Sequence, residues 1–402
     1  MYIRDALASS SDAGPSGTGY RETAGAANAS TESSSRGRNP RLDGHQLLVL
    51  TDLARNPEFQ PGSPWRRRVA EAHPGLRLVV HDQDTWRDRT FPADLDWAGS
   101  TMLLSGAVFP EPAQAPRLEY IQLQSAGADP INQKPIFKET DVAVCTTNGV
   151  HGPQIAEWVI GTFLALNHQI PHFLDLQKEG KWKQEWPNSG MEDGVKQRVL
   201  RQHRPAGSPR RQVAGHGRRG LHEPPAPHAR LAARHGLHRA GHGDADGAFP
   251  SAWYSGTTDA EVDAFLSAGL DWLVVAVPLT ASTRGLVSEA RLRLLADRAR
   301  ARGARVQPFV TNIARGTVVD TDALIKALDE GWVRGAALDV TDPEPLPEGH
   351  PLWARRNLII TPHVSAMSNS LGHRIADVLE LNLGRFAEGE KLVNQVSRKE
   401  GY

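Results

Sequence analysis

The chain has 402 residues, with 46 Lys and Arg balanced by 46 Asp and Glu, and is longer than one hydrophobic core usually serves, so two domains are expected. Balanced charge gives no field that would gather nucleic acid or an anionic membrane surface, and no apolar run is long enough to cross a bilayer. The single cysteine, Cys145, excludes an internal disulfide framework and fits a reducing compartment.

Residues 1–44 are mostly Ser, Gly, Ala, Asn and Thr with scattered charges, a composition that buries too little apolar surface to offset ordering entropy, so a disordered tail is expected. It lacks the compact apolar core of a secretory signal, and Asp5, Asp12, Glu22 and Glu32 argue against a transit peptide. A cytoplasmic location follows as the default. From His45 onward, short β-rich runs at 47–51, 76–81, 101–105, 118–124 and 141–146 alternate with polar or helical stretches, the texture of a parallel sheet covered by helices. Cys145 falls at the end of the last of these runs, where a buried thiol is the simplest reading because no base stands beside it.

After Gly152, the residues Ile155, Trp158, Val159, Thr162, Phe163 and Leu166 recur at helical spacing, which predicts one long amphipathic helix. A second set of strands is expected at 272–277, 307–312, 335–340 and 358–361, implying a second α/β unit. Between the two sets, residues 200–243 are Arg, His, Pro, Gly and Ala with almost no β-branched or aromatic side chain, and no regular buried element is drawn through them.

Three motifs carry chemistry. The run from Val310 to Asp320 contains Asn312-Ile313-Ala314-Arg315-Gly316 and reads as a strand, a tight turn and the start of a helix holding Leu324, Ile325 and Leu328. An arginine at such a strand end sits where open α/β sheets bind ligands, and its fork suits a carboxylate or carbonyl oxygen. Next comes the small-residue strand ending Leu338-Asp339-Val340, which leads to Glu344-Pro345; the third is an apolar strand ending Thr361-Pro362-His363.

In this order and spacing the three motifs resemble those of the D-isomer-specific 2-hydroxyacid dehydrogenases. The resemblance implies NAD or NADP as cofactor, a small-molecule 2-keto or 2-hydroxy acid as substrate, hydride transfer between them, no metal, and a homodimer. It makes Arg315 the binder of the substrate's carboxylate and keto oxygens, His363 the acid that protonates the carbonyl oxygen, and Glu344 the carboxylate that holds and charges the imidazole. A negative neighbour favours imidazolium, which keeps the donor loaded near neutral pH. Ser125, Ala126 and Gly127, before Asp129, resemble the turn whose backbone N–H groups hold the substrate carboxylate; small residues permit that close approach. The stretch from Asn148 to Glu157 is similar to the family's interdomain crossover. Val277, Pro278, Thr283, Ile313, Ala314, Asp339 and Ala366 fall where the resemblance places contacts to the cofactor.

The resemblance implies a flavodoxin-like substrate domain at 45–150, completed by 364–394, with a Rossmann-type nucleotide domain inserted at 151–363. That second domain is expected to be partly disrupted. Where the family has a strand, a Gly-x-Gly-x-x-Gly turn and a helix to receive the pyrophosphate, this sequence has the Arg/His/Pro-rich segment 200–243. Read one base out of frame, Leu200 to Ser208 can encode Phe or Tyr, Gly, Asn or Ser, Ile, Gly, Arg, Gln, Val, Ala, which is that turn without its first glycine. The segment is therefore read as translated out of frame, and weak dinucleotide binding by the chain as written is the corresponding expectation. Two rival readings are a non-catalytic, dinucleotide-sensing interaction protein of the corepressor type, built on the same scaffold, and an inactive product.

Overall fold

The computed structural model describes residues 38–84, 95–184, 258–399 and 401, together with the strand segments 20–21, 197–201, 212–215, 238–239 and 252–255. Two sheets dominate these residues.

The first sheet contains β1 (Gln46–Thr51), β2 (Arg77–Asp82), β3 (Met102–Ser105), β4 (Tyr120–Leu123) and β5 (Ala143–Cys145). Its spatial order is β2-β1-β3-β4-β5 with every pair parallel, the flavodoxin-like order. The residues of β1 are buried throughout, as expected of a strand covered on both faces. One face packs Leu47, Val49, Met102 and Tyr120, and the other packs Leu48, Leu50, Leu103 and Ile121. Helix α1 (Pro64–Ala72) follows β1 and is capped by Ser63, whose side chain accepts from the Arg66 N–H.

The same sheet is closed by a helix from the far end of the chain. In α7 (Leu371–Ala387), Ile375, Leu379, Leu383 and Phe386 share the core of Leu47, Val49 and Tyr120. Trp65 Nε1 donates to the Ala376 carbonyl at 3.0 Å, and Asn382 Nδ2 donates to Gln122 Oε1 at 3.1 Å. One sequence expectation is corrected at this core. The tail does not extend to residue 44, because Leu42 is fully buried in it and the Asn39 N–H donates to the Ala387 carbonyl at 2.7 Å. Of residues 1–37, only the strand pair of Tyr20–Arg21 with His238–Arg239 is described.

Helix α2 (Gly152–Asn167) carries the chain to the second sheet, where Phe163 stacks on Trp272 with ring centroids 3.9 Å apart. Helix α3 (Ile170–Lys178) follows it. The second sheet contains β6 (Gln197–Arg201), β7 (Gln212–Gly215), β8 (Ala252–Ser255), β9 (Trp272–Ala276), β10 (Phe309–Asn312), β11 (Gly335–Leu338) and β12 (Leu358–Ile360). Its order is β8-β7-β6-β9-β10-β11-β12, the strand arrangement of a dinucleotide-binding fold. Helices α4 (Asp259–Leu266), α5 (Glu289–Ala301) and α6 (Thr321–Asp329) pack Phe265, Leu292, Leu295 and Leu324 against it. Among the described residues, no helix is long and apolar enough to cross a membrane.

The second sheet departs from the sequence reading at two places. A strand does form where none was drawn, since β6 pairs in parallel with β9 along its whole length, from Gln197↔Trp272 to Arg201↔Ala276. The next position in the order is also filled, but β7 runs antiparallel to both β6 and β8. Backbone pairing requires only extended chain, so a strand forms there without the alternating apolar pattern that the sequence reading looked for. Residues 202–211, 216–237 and 240–251 lie outside the described residues, and the out-of-frame reading of 200–243 falls largely on them.

Because β9, β10, β11 and β12 are mutually parallel, the residues that follow each of them emerge along one carboxyl edge. If α7 completes the first core as described, Leu379→Ala should destabilise the protein by about 2–5 kcal/mol through cavity formation. Urea unfolding checks this, and a loss well under 1 kcal/mol would show that α7 does not cover that sheet.

Candidate active site

At the carboxyl edge of the second sheet, the turns after β10, β11 and β12 are tied to one another. After β10, buried Asn312 folds its side chain back along the turn. Its Oδ1 accepts from the Ala314 N–H at 3.0 Å, and its Nδ2 donates to the Arg315 carbonyl at 3.0 Å. The position of Arg315 is thereby set by the residue three places before it. Gly316 lies against the Thr341 carbonyl and the Asp342 nitrogen so closely that a Cβ would collide with backbone. This contact joins the arginine turn to the turn that follows β11, and only glycine permits it.

Asp339, just beyond β11, is 2% exposed. One carboxylate oxygen accepts from Thr361 Oγ1 at 2.6 Å and the Val364 N–H at 2.8 Å; the other accepts from the Ser365 N–H at 3.0 Å and from Ser365 Oγ. A buried carboxylate is tolerated when its lone pairs are satisfied in this way. The loop after β12 is consequently wrapped around Asp339. The His363 N–H donates to the Asp339 carbonyl at 2.8 Å, and His363 itself takes a left-handed backbone with φ of 55°, a conformation uncommon outside glycine and often found at functional positions. Its Nδ1 lies 2.7 Å from Glu344 Oε1, and both side chains are about two-fifths exposed, at 42% and 41%. The imidazole is thus held by one nitrogen, leaving Nε2 for chemistry.

The third component comes from the first sheet. Beyond β4, Ser125 Oγ donates to the Gly127 carbonyl at 2.6 Å, and the Thr147 N–H donates to the Ser125 carbonyl at 2.9 Å; Ala126 is exposed. A Cβ on Gly127 would lie 2.8 Å from Arg315 Nη2 and 2.6 Å from Asp129 Oδ1. The turn expected to hold a carboxylate is therefore in contact with the expected arginine. Asp129 completes this junction, accepting from Arg315 Nη2 at 2.7 Å and from Nε at 3.2 Å, while Arg315 Nη1 donates to the Ala314 carbonyl at 2.7 Å.

The positions read as cofactor contacts fall into two groups. Val277, Pro278, Ile313 and Ala314 form a largely apolar stretch at the ends of β9 and β10, and Thr283 pins the first of these turns by donating to the Pro278 carbonyl at 2.7 Å. Such an edge, flanked by Arg315, suits the flat nicotinamide end of a dinucleotide. The other two positions are already bonded within the protein. Both carboxylate oxygens of Asp339 are engaged as above, and the Ala366 carbonyl accepts from Gln154 Nε2 at 2.8 Å, which ties the histidine loop to α2. Sequence reasoning gave no roles to Asp129, Asn312 and Gly316, although all three stood inside the quoted motifs. It also assigned nothing to His151 at the crossover.

These features accompany similarity to known proteins. Residues 160–365 match the model of the D-isomer specific 2-hydroxyacid dehydrogenase NAD binding domain. The chain belongs to this family. It is 29% identical over 324 residues to a glyoxylate reductase of Thermofilum pendens, covering 78% of this chain and 86% of that protein. A glyoxylate reductase of Aeropyrum pernix is 40% identical over a shorter stretch of 129 residues, 36% of its length. Among solved structures, a D-isomer specific 2-hydroxyacid dehydrogenase from Xanthobacter autotrophicus Py2 in complex with NADPH and MES is similar, with a TM-score of 0.58, 26% identity, and coverage of 89% of this chain and all of that one. The chain is accordingly an NAD(P)-dependent 2-hydroxyacid oxidoreductase with a Rossmann-type domain. The relatives named here are reductases or dehydrogenases, and they lend no support to the corepressor-like or inactive readings.

His151 is buried at the crossover, and its pKa falls to about 4, first because burial disfavours the imidazolium and then because Arg374 and Arg315 repel it. The unfolded chain takes up this proton near the ordinary value of 6.5 and the folded chain does not, so stability is lost as pH falls from 6.5 toward 4. The loss from this residue should reach roughly 3 kcal/mol. His151→Gln should flatten that part of the acid limb in denaturant titrations at a series of pH values. Identical pH slopes for the two proteins would show that His151 is not buried in its neutral form.

Proposed function

We propose that this protein reduces a small 2-oxo acid of the glyoxylate or hydroxypyruvate type to the corresponding 2-hydroxy acid, of D configuration where a stereocentre forms, reversibly, with NAD or NADP as the hydride carrier. The observations that carry the reading are the contact of Arg315 with the Gly127 turn across the two sheets, the Glu344–His363 pair, and the close approach of Gly316 to the Thr341–Asp342 backbone that ties the arginine turn to the turn before Glu344. The names of the relatives, glyoxylate reductases, supply the substrate class.

In this reading the substrate's carboxylate lies against the turn of Ser125, Ala126 and Gly127, and Arg315 takes a carboxylate oxygen together with the keto oxygen. Arginine concentrates positive charge where the carbonyl oxygen becomes negative. Glu344 accepts from Nδ1 of His363, so the protonated ring carries its transferable proton on Nε2. His363 gives that proton to the oxygen and is left as the neutral Nδ1–H form, which Glu344 still holds. When bound, the reduced nicotinamide supplies the hydride. Val277, Pro278, Ile313 and Ala314 would line its binding edge and Thr283 would hold their turn. Asp339 would act through the loop it organises, and Ala366 through its tie to Gln154.

A homodimer is part of the proposal, supported by Ile160 and Leu164 on α2 and Ile170 and Leu174 on α3, each 44–50% exposed. A face of this kind is what a second copy would cover. Sedimentation should show a dimer for the parent protein and a monomer for Leu164→Asp; a monomeric parent would remove this part of the reading.

Assays of glyoxylate and hydroxypyruvate reduction with NADH and NADPH test the central reading. His363→Ala should lower kcat by about 10²–10⁴-fold while cofactor affinity stays unchanged. Arg315→Lys should raise the KM for keto acids, because a point charge replaces a planar fork. Parent-like kinetics in both variants would remove these residues from the mechanism.

A further inference from the structure

Arg315 can serve the proposed reaction only if its guanidinium is aimed at the substrate. An arginine carries five N–H donors in one plane, so what occupies one edge decides which edge is presented to a ligand. Here the Nε/Nη2 edge is taken by both oxygens of Asp129, at 3.2 and 2.7 Å, and one Nη1 hydrogen is taken by the Ala314 carbonyl at 2.7 Å. One N–H on each terminal nitrogen remains. These two can meet the two oxygens that a 2-keto acid offers from adjacent carbons.

Asp129 lies in the turn after β4 of the first sheet, and Arg315 lies after β10 of the second, so the pair spans the junction between the two sheets. It also rests on Gly127, where a Cβ would lie 2.6 Å from Asp129 Oδ1 and 2.8 Å from Arg315 Nη2. The bare backbone of the carboxylate-binding turn is thus what lets the ion pair form beside it. The pair is half sheltered, with side-chain exposures of 24% for Arg315 and 35% for Asp129. In that setting its geometry matters more than its Coulombic contribution to stability.

We infer that Asp129 is a positioning residue for the reaction: by binding the Nε/Nη2 edge of Arg315 across the junction, it turns the end of the guanidinium fork toward the substrate's carboxylate and keto oxygens. This rests on the function proposed above. If Asp129 instead competed with the substrate for the arginine, its removal would tighten substrate binding rather than weaken it.

The test is the kinetics of Asp129→Asn and Asp129→Glu in the full chain, together with calorimetric titration of oxalate, an unreactive analogue of the keto acid, in the presence of reduced cofactor. Asp129→Asn should raise the KM and the oxalate Kd by roughly 10- to 100-fold, the scale of a lost charge-assisted bond. Its kcat should change much less, and Asp129→Glu should recover part of the affinity. A destabilised fold would not give this split or this recovery by a conservative variant. A KM and oxalate Kd that are unchanged or lower in Asp129→Asn, with Arg315→Lys still impaired, would overturn the inference and leave the proposed function standing. Absence of both turnover and oxalate binding in the parent protein would overturn the proposed function and this inference with it.

Discussion

The candidate site depends first on a buried carboxylate. Asp339 has almost no contact with solvent, and its four donors all come from the strand and loop that carry His363. Removing such a group from water is costly unless every lone pair finds a donor. The loop therefore has little freedom to leave the arrangement that supplies them, and the left-handed backbone of His363 is held by the same bonds. The close approach of Gly316 to the Thr341–Asp342 backbone extends this constraint to the arginine turn. Three segments distant in sequence are in this way fixed to one another before any ligand arrives, which is how catalytic groups are kept in register.

The second organising feature is the division of labour between the sheets. The turn after β4 offers backbone and a carboxylate, while the edge of the other sheet offers a cation and a carboxylate-held imidazole. Each sheet thus contributes an acidic side chain, Asp129 against Arg315 from one and Glu344 against His363 from the other. In the proposed function, the planar guanidinium fork would read the substrate's paired oxygens by shape as well as by charge.

Much of this was legible in the sequence. The strands of the first sheet were readable as short β-rich runs between polar or helical stretches, and the resemblance placed the segment 364–394 with that sheet, where the structure puts α7. Arg315, Glu344 and His363 were singled out through motif order, and the structure brings Glu344 and His363 into contact. What composition could not show was pairing: the bond of Asp129 to Arg315 joins residues 186 positions apart, and no periodicity encodes such a contact. Leu42 was missed because a single apolar residue in a polar stretch carries no pattern, although it inserts into a core formed by distant elements. The strand β6 was missed for the opposite reason, since its composition is polar and only its register with β9 marks it as part of the sheet.

The central claim is that these groups hold a 2-keto acid in one orientation and protonate its carbonyl oxygen, with the hydride supplied by a bound reduced nicotinamide. Its most direct measurement is the configuration of the product. The purified protein is incubated with hydroxypyruvate and either NADH or NADPH, and the glycerate formed is resolved by chiral chromatography. The account predicts oxidation of at least one of the two cofactors and glycerate of the D configuration. Formation of L-glycerate, or no oxidation of either cofactor, would contradict it.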